Sequence, residues 1–134
     1  MAQAPLPNGT GGYQIGDGNL TEAKLSVQGT PTALTAAATL TAAQLADGLF
    51  TVVLAGGAAD LTLPTVADLE LVVSSAKVYS SFEFTIINID AAAAATLKVG
   101  TGWTIVGAAA IAQATSGNFR AVKTGTGAWT AYRV

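Results

Sequence analysis

The sequence predicts a mainly β fold, a β-sandwich or flattened barrel with two short helices and an extended N-terminal arm. Three observations carry that expectation. The first is Ser81-Phe82-Glu83-Phe84-Thr85-Ile86-Ile87-Asn88-Ile89-Asp90, where Phe82, Phe84 and Ile86 alternate with Glu83 and Thr85. That period of two marks a strand with one buried face. The second is the later rhythm of β-branched runs and turn residues, repeating about every 10 residues, the spacing of a sandwich or barrel. The third is the contrast between residues 1–29, rich in Pro and Gly and poor in large apolar groups, and the body over residues 30–134.

In chain order, Pro5, Pro7, Gly9, Gly11 and Gly12 prevent residues 1–12 from forming a helix or a central strand. Tyr13, Ile15 and Leu20 are sparse apolar anchors around the turn cluster Gly16-Asp17-Gly18-Asn19. Residues 33–35 read as a short strand and residues 39–48 as a small helix, 41–46 at its core. Thr41 is placed to cap it, Gln44 to complete a capping box and Gly48 to end it. Residues 49–54 and 61–63 read as strands, the second stopped by Pro64. A second helix is expected near 66–73, capped by Thr65 and favoured by Asp68 and Glu70 at its start.

The strand of residues 81–90 is taken as central. Ile87 and Ile89 continue the face begun by Glu83 and Thr85, so its far end is apolar on both sides. Such a strand calls for cover on both faces, by a sheet, a helix or another subunit. The alanine run 91–95 is too short to nucleate a helix and reads as a loop. Strands follow at 96–99, 103–106, 118–124 and 128–134, with turns at Gly100-Thr101-Gly102, Thr115-Ser116-Gly117 and Gly125-Thr126-Gly127, as a meander. The expected core includes Phe82, Phe84, Ile86, Leu97, Ile105 and Phe119.

Composition narrows the chemistry. There is no cysteine and no histidine, so disulfides, thiolate chemistry and the commonest general base and metal ligand are all missing. No catalytic residue, cofactor or metal site is expected. Charged residues make up 10% of the chain against a usual figure of about 25%, which predicts surface hidden in contacts between subunits. The net charge of −2 argues against a nucleic-acid partner. No membrane partner is expected either, because the apolar residues never run long enough for a transmembrane span and the first residues lack signal-peptide character.

Motifs with chemical meaning fail on context. Ser74-Ser75-Ala76-Lys77 and Lys123-Thr124-Gly125 match two elements of serine β-lactamases, but the third is absent and the Ser-Lys pair closes a helix instead of opening one. The Gly-x-Gly pairs open no helix and so are not phosphate loops. Asp17 and Asn19 offer too few oxygens for Ca²⁺. Asp68 and Glu70 are two apart and do not share a helix face. Glu83 is expected to have a buried partner such as Arg120 or Lys98. Trp103 and Trp129 are expected to pack in a core or interface.

Three stretches together suggest a family. They are residues 5–20, PLPNGTGGYQIGDGNL; residues 82–88, FEFTIIN; and residues 100–107, GTGWTIVG, with the echo Trp129-Thr130-Ala131-Tyr132-Arg133. The chain resembles the head decoration, or cement, proteins of tailed bacteriophages. The resemblance implies a non-enzymatic protein on the outer surface of the capsid, commonly a homotrimer. Its partner would be the major capsid protein, and it would bridge capsomers and stabilise the head. The alternative is a receptor- or glycan-binding knob of a phage fibre or spike. The arm residues Pro5, Pro7, Tyr13, Ile15 and Leu20 are the expected capsid or subunit contacts, adding a strand to a neighbour's sheet edge.

Overall fold

The computed structural model describes residues 27–134. In chain order these form β1 (Thr32–Leu34), β2 (Ala38–Thr39), α1 (Ala42–Asp47), β3 (Leu49–Val52), β4 (Ala59–Thr62), α2 (Val66–Val72), β5 (Ser81–Asn88), β6 (Ala95–Lys98), β7 (Trp103–Val106), β8 (Ala110–Ile111), β9 (Thr115–Gly125) and β10 (Ala128–Arg133). The fold is mainly β. A six-stranded sheet has the order β1-β3-β5-β9-β10-β7, and a four-stranded sheet has the order β2-β4-β6-β8.

The first three passes of the chain follow one rule. Each gives one strand to each sheet, so β1, β3 and β5 are parallel neighbours in one and β2, β4 and β6 in the other. The result is a flattened coil of three turns, with α1 and α2 on the return from the small sheet to the large one. Parallel neighbours need such crossovers, because a tight turn can join only antiparallel strands. The hairpin β9–β10 then inserts between β5 and β7. It runs antiparallel to β5 through β9 and parallel to β7 through β10.

Local sequence explains both helices. Thr41 caps α1 in extended conformation, its Oγ1 accepting from Gln44 N at 3.1 Å, while Gln44 Oε1 accepts from Thr41 N at 3.0 Å. Gly48 ends α1 at φ 81°, a left-handed conformation that glycine adopts without steric cost. Thr65 caps α2 through the amide of Asp68 at 3.2 Å. Each helix is too short to persist alone, and each is fixed by a leucine at its buried face, Leu45 in α1 and Leu69 in α2.

The core lies between the two sheets. Phe50, Phe84, Ile86 and Phe119 project from the large sheet, and Leu61, Leu97 and Ile111 from the small one. Phe84 and Phe119, directly opposite in register, stack at 5.2 Å and 13°. Each such side chain contributes about 1.5–3 kcal/mol on burial. Gly100 is required by packing. A Cβ there would overlap the backbone carbonyl oxygens of Leu63 and Pro64.

Several expectations need correction. Phe82 and Ile105 are half-buried at the margin of the core, not inside it. Phe82 lies near the start of β5, where Trp129 and Phe84 cover only part of the ring, and Ile105 lies on the edge strand β7. The last half is not a meander, since β7 pairs with neither β6 nor β8. Ala38–Thr39, of which Thr39 was assigned to a helix, and Ala110–Ile111, where no strand was expected, are strands of the small sheet. Thr115, Ser116 and Gly117 are not a turn but the start of β9, held by pairing with Asn88, Ile87 and Ile86. Local turn propensity yields there to an eleven-residue ladder.

Candidate interaction surface

Alternation along β5 puts Phe84, Ile86 and Asn88 inside and Glu83, Thr85 and Ile87 outside. Register carries this across the sheet. Thr85 lies beside Asn118, Glu83 beside Arg120, and Arg120 beside Tyr132, which in turn lies beside Val106. The outer face is therefore a broad plane of hydroxyl, amide and aliphatic groups. β5 is central, as expected, but within the described residues only its inner face is covered by the second sheet. Ile87 is half-buried and Ile89 is 58% exposed.

The charges on this plane neutralise each other. Arg120 Nε and Nη2 donate to Glu83 Oε2 at 3.0 and 2.5 Å. Arg120 is one of the two partners expected for Glu83, but the pair is exposed, not buried, with both side chains more than half accessible. Thr85 Oγ1 donates to Asn118 Oδ1 at 2.6 Å in the next row.

A second, partly shielded cluster ties α2 to the hairpin. Lys123 Nζ lies 2.9 Å from Glu70 Oε2, and Trp129 Nε1 donates to the same oxygen at 3.0 Å. The Lys123 contact, followed by the indole hydrogen bond, lowers the Glu70 pKa. Lys123 Nζ also donates to Ala76 O at 3.3 Å. The lysine of the Lys-Thr-Gly triplet thus does approach the Ser-Ser-Ala-Lys turn, but it is engaged as a structural cation. Glu70 and Asp68 diverge as expected, Asp68 standing at the capped start of α2.

Two further polar groups were not legible as a site in the sequence. Asn88 is 1% exposed. Its Nδ2 donates to Ala93 O at 2.8 Å and to Ile111 O at 3.0 Å, while its Oδ1 accepts from Asp90 N at 3.0 Å. The side chain thereby bridges the two sheets at one end. Asp90 accepts from the amides of Ala92, Ala93 and Leu54, each at 2.8 Å, and these bonds hold its carboxyl below the usual range.

Depressions in the surface are shallow. One among the described residues, about 590 Å³, runs past Thr39, Thr41, Thr62, Thr65 and Thr101 with Asp68 at its side. Another, about 460 Å³, lies between Thr65, Glu70, Thr101 and Thr126. Among the described residues no cluster of His, Cys, Asp and Glu could hold a metal ion. Trp103 and Trp129 are buried 6.0 Å apart, packing as the sequence led one to expect, with Trp103 Nε1 donating to Pro64 O at 2.8 Å. No described helix is long and apolar enough to cross a membrane.

Exposed apolar groups gather in two other places. Leu71, Val72, Val78 and Tyr79 form one set around the end of α2. Tyr79 has φ 73° and is held there by its amide donating to Lys123 O at 2.7 Å. Val53 and Ile89, with the half-buried Ile87, form the other, at the ends of β3 and β5. The arm residues Pro5, Pro7, Tyr13, Ile15 and Leu20 lie outside the described residues. Gln28, within the expected arm, is joined to the body: its Nε2 donates to Asp47 O at 2.6 Å. Comparison with known proteins found no matching family model, curated protein or solved structure.

Proposed function

We propose that the protein is a non-enzymatic structural component of a virion, binding the outer surface of a capsid and bridging neighbouring capsomers. One observation carries this reading. The six-stranded sheet presents a wide outer plane whose Glu83 and Arg120 neutralise one another. Such a plane suits contact with a large protein surface better than recognition of a small molecule. The low charge of the chain and its β-rich body are in keeping with that role.

In this reading the major capsid protein is the partner, and copies of the chain act together, as a homotrimer. Pro5, Pro7, Tyr13, Ile15 and Leu20 supply the grip. Each large apolar anchor contributes about 1.5–3 kcal/mol when buried, and several arms on one oligomer multiply weak contacts. The alternative, a receptor- or glycan-binding knob, has less support because both tryptophans are interior and offer no stacking platform.

The test is co-sedimentation of the protein with purified capsids, with and without residues 1–20. Full-length chain should bind and raise the temperature at which heads rupture, and the truncated chain should bind more weakly. Failure of the full-length protein to bind any expanded head of its own phage would overturn the proposal. Equal binding by the truncated chain would move the grip from the arm to the sheet face.

A further inference from the structure

We propose that the exposed face of α2 and the turn after it dock on a second copy of the chain, antiparallel about a twofold axis. In that contact Asp68 of each copy meets Lys77 of the other. This goes beyond the capsid reading and does not depend on it. It uses neither the arm nor the outer plane of the large sheet, and it is separate from any threefold contact.

The surface is apolar at its centre. Val66 and Leu69 turn to the core, while Ala67, Asp68, Leu71 and Val72 are exposed on the opposite face of α2. Leu71 is 80% exposed and Tyr79 79% exposed, and Val72 and Val78 are each about half exposed. Ser74, Ser75 and Ser81 are exposed around this group. An apolar patch rimmed by polar residues marks a protein–protein contact.

The turn after α2 holds its aromatic side chain still. Lys77 N donates to Ser80 Oγ at 2.9 Å, and Ser80 N donates to Lys77 O at 2.8 Å. Tyr79 N donates to Lys123 O at 2.7 Å, and Lys123 N donates to Ser80 O at 3.0 Å. These bonds keep Tyr79 at φ 73°, a conformation bulky residues rarely adopt, with its ring in solvent. Backbone strain of this kind persists only where the surroundings fix it, and it gathers at binding sites. A tyrosine held this way loses little freedom on binding, which suits it to anchor an interface.

Charge decides the occupant. Asp68 and Lys77 are both exposed, and neither forms an ion pair among the described residues. Glu70 and Lys123, the neighbouring charges, neutralise one another at 2.9 Å. The strip therefore carries an acid before Leu71 and a base past the end of α2, with apolar groups between. Such a pattern is complementary to itself when turned end over end, which is the requirement of a twofold contact. Antiparallel docking sets Leu71 and Val72 against the same residues of the second copy and puts an ion pair at each end. A partner of another sequence would need an apolar centre flanked by the same two charges in reverse order. The contact offers only four large apolar side chains a copy, fewer than a permanent interface buries, so it should be reversible.

The experiment is sedimentation velocity of the full-length chain over a range of concentrations, without capsids. The chain should show a concentration-dependent step that doubles the sedimenting mass. Asp68→Lys alone and Lys77→Glu alone should each weaken that step at least about tenfold, because each sets like charges together at both ends. Mixing the two variants in equal amounts should restore it, since the mixed pair regains opposite charges at both ends. Tyr79→Ala should also weaken the step, with an unchanged circular dichroism spectrum. Absence of a doubling step in the full-length chain at its highest soluble concentration would overturn the proposal. So would single variants that associate as well as the native chain. A mixture that stays as weak as its components would overturn it too, by assigning the patch to a partner of another sequence.

Discussion

Replacing Asn88 by alanine removes three hydrogen bonds at a point that is 1% exposed. The carbonyls of Ala93 and Ile111 and the amide of Asp90 lose the one side chain that serves them among the described residues. Each unsatisfied buried backbone group costs about 1–3 kcal/mol. Allowing for partial relaxation, the loss should be about 3–5 kcal/mol, a large part of the ~5–15 kcal/mol that stabilises a domain of this size. At about 4 °C per kcal/mol, Tm should fall by roughly 12–20 °C in thermal circular dichroism. Asn88→Asp sharpens the test. A carboxylate there would face two carbonyl oxygens in a buried setting, which raises its pKa. A raised pKa in the folded state means stability is present at low pH and lost as pH rises, so this variant should be more stable near pH 4 than at pH 7. A drop in Tm below about 4 °C for Asn88→Ala would show that the bridge is not structural, as would a pH-independent Asn88→Asp.

The native chain should show the opposite pH trend. The pKa values of Asp90 and Glu70 are depressed, so their contribution is present above the ordinary carboxylate range and lost as pH falls through the lowered values. Stability measured by urea titration should be level above about pH 5 and decline below about pH 4, and Asp90→Ala should reduce that decline. Glu83→Gln should leave Tm within about 4 °C, because the exposed ion pair with Arg120 contributes little; a larger change would mean the outer face is covered in solution. Gly100→Ala should cost about 1–3 kcal/mol by overlapping the Leu63 and Pro64 carbonyls, whereas Gly56→Ala, which meets nothing within 4 Å, should be nearly neutral in the same melts.

Much of the local structure was legible because it rests on local chemistry. The capping box of Thr41 and Gln44, the left-handed Gly48 and the cap at Thr65 involve residues a few positions apart. Trp103–Val106 was read with its observed limits, and the alternation in β5 gave the right inner face. The short strands β2 and β8 were not legible. Two residues carry no period, and Ala38–Thr39 and Ala110–Ile111 become strands only through the partners β4 and β6. The polar devices were also hidden. Asn88 bonds to Ile111 across 23 residues, and Glu70 meets Trp129 across 59.

What the sequence determined by itself is the β-rich character of the body, the two capped helices and the central place of β5, because periodicity and capping act over neighbouring residues. The tertiary structure alone decided the rest. It threads three turns of a coil between two sheets and inserts β9–β10 between β5 and β7. It leaves Ile87 and Ile89 facing outward and turns Asn88 into a bridge. These outcomes depend on which distant strands pair. Pairing is set by the combined burial of both sheet faces and the satisfaction of their backbone groups, a property no single stretch of the chain contains.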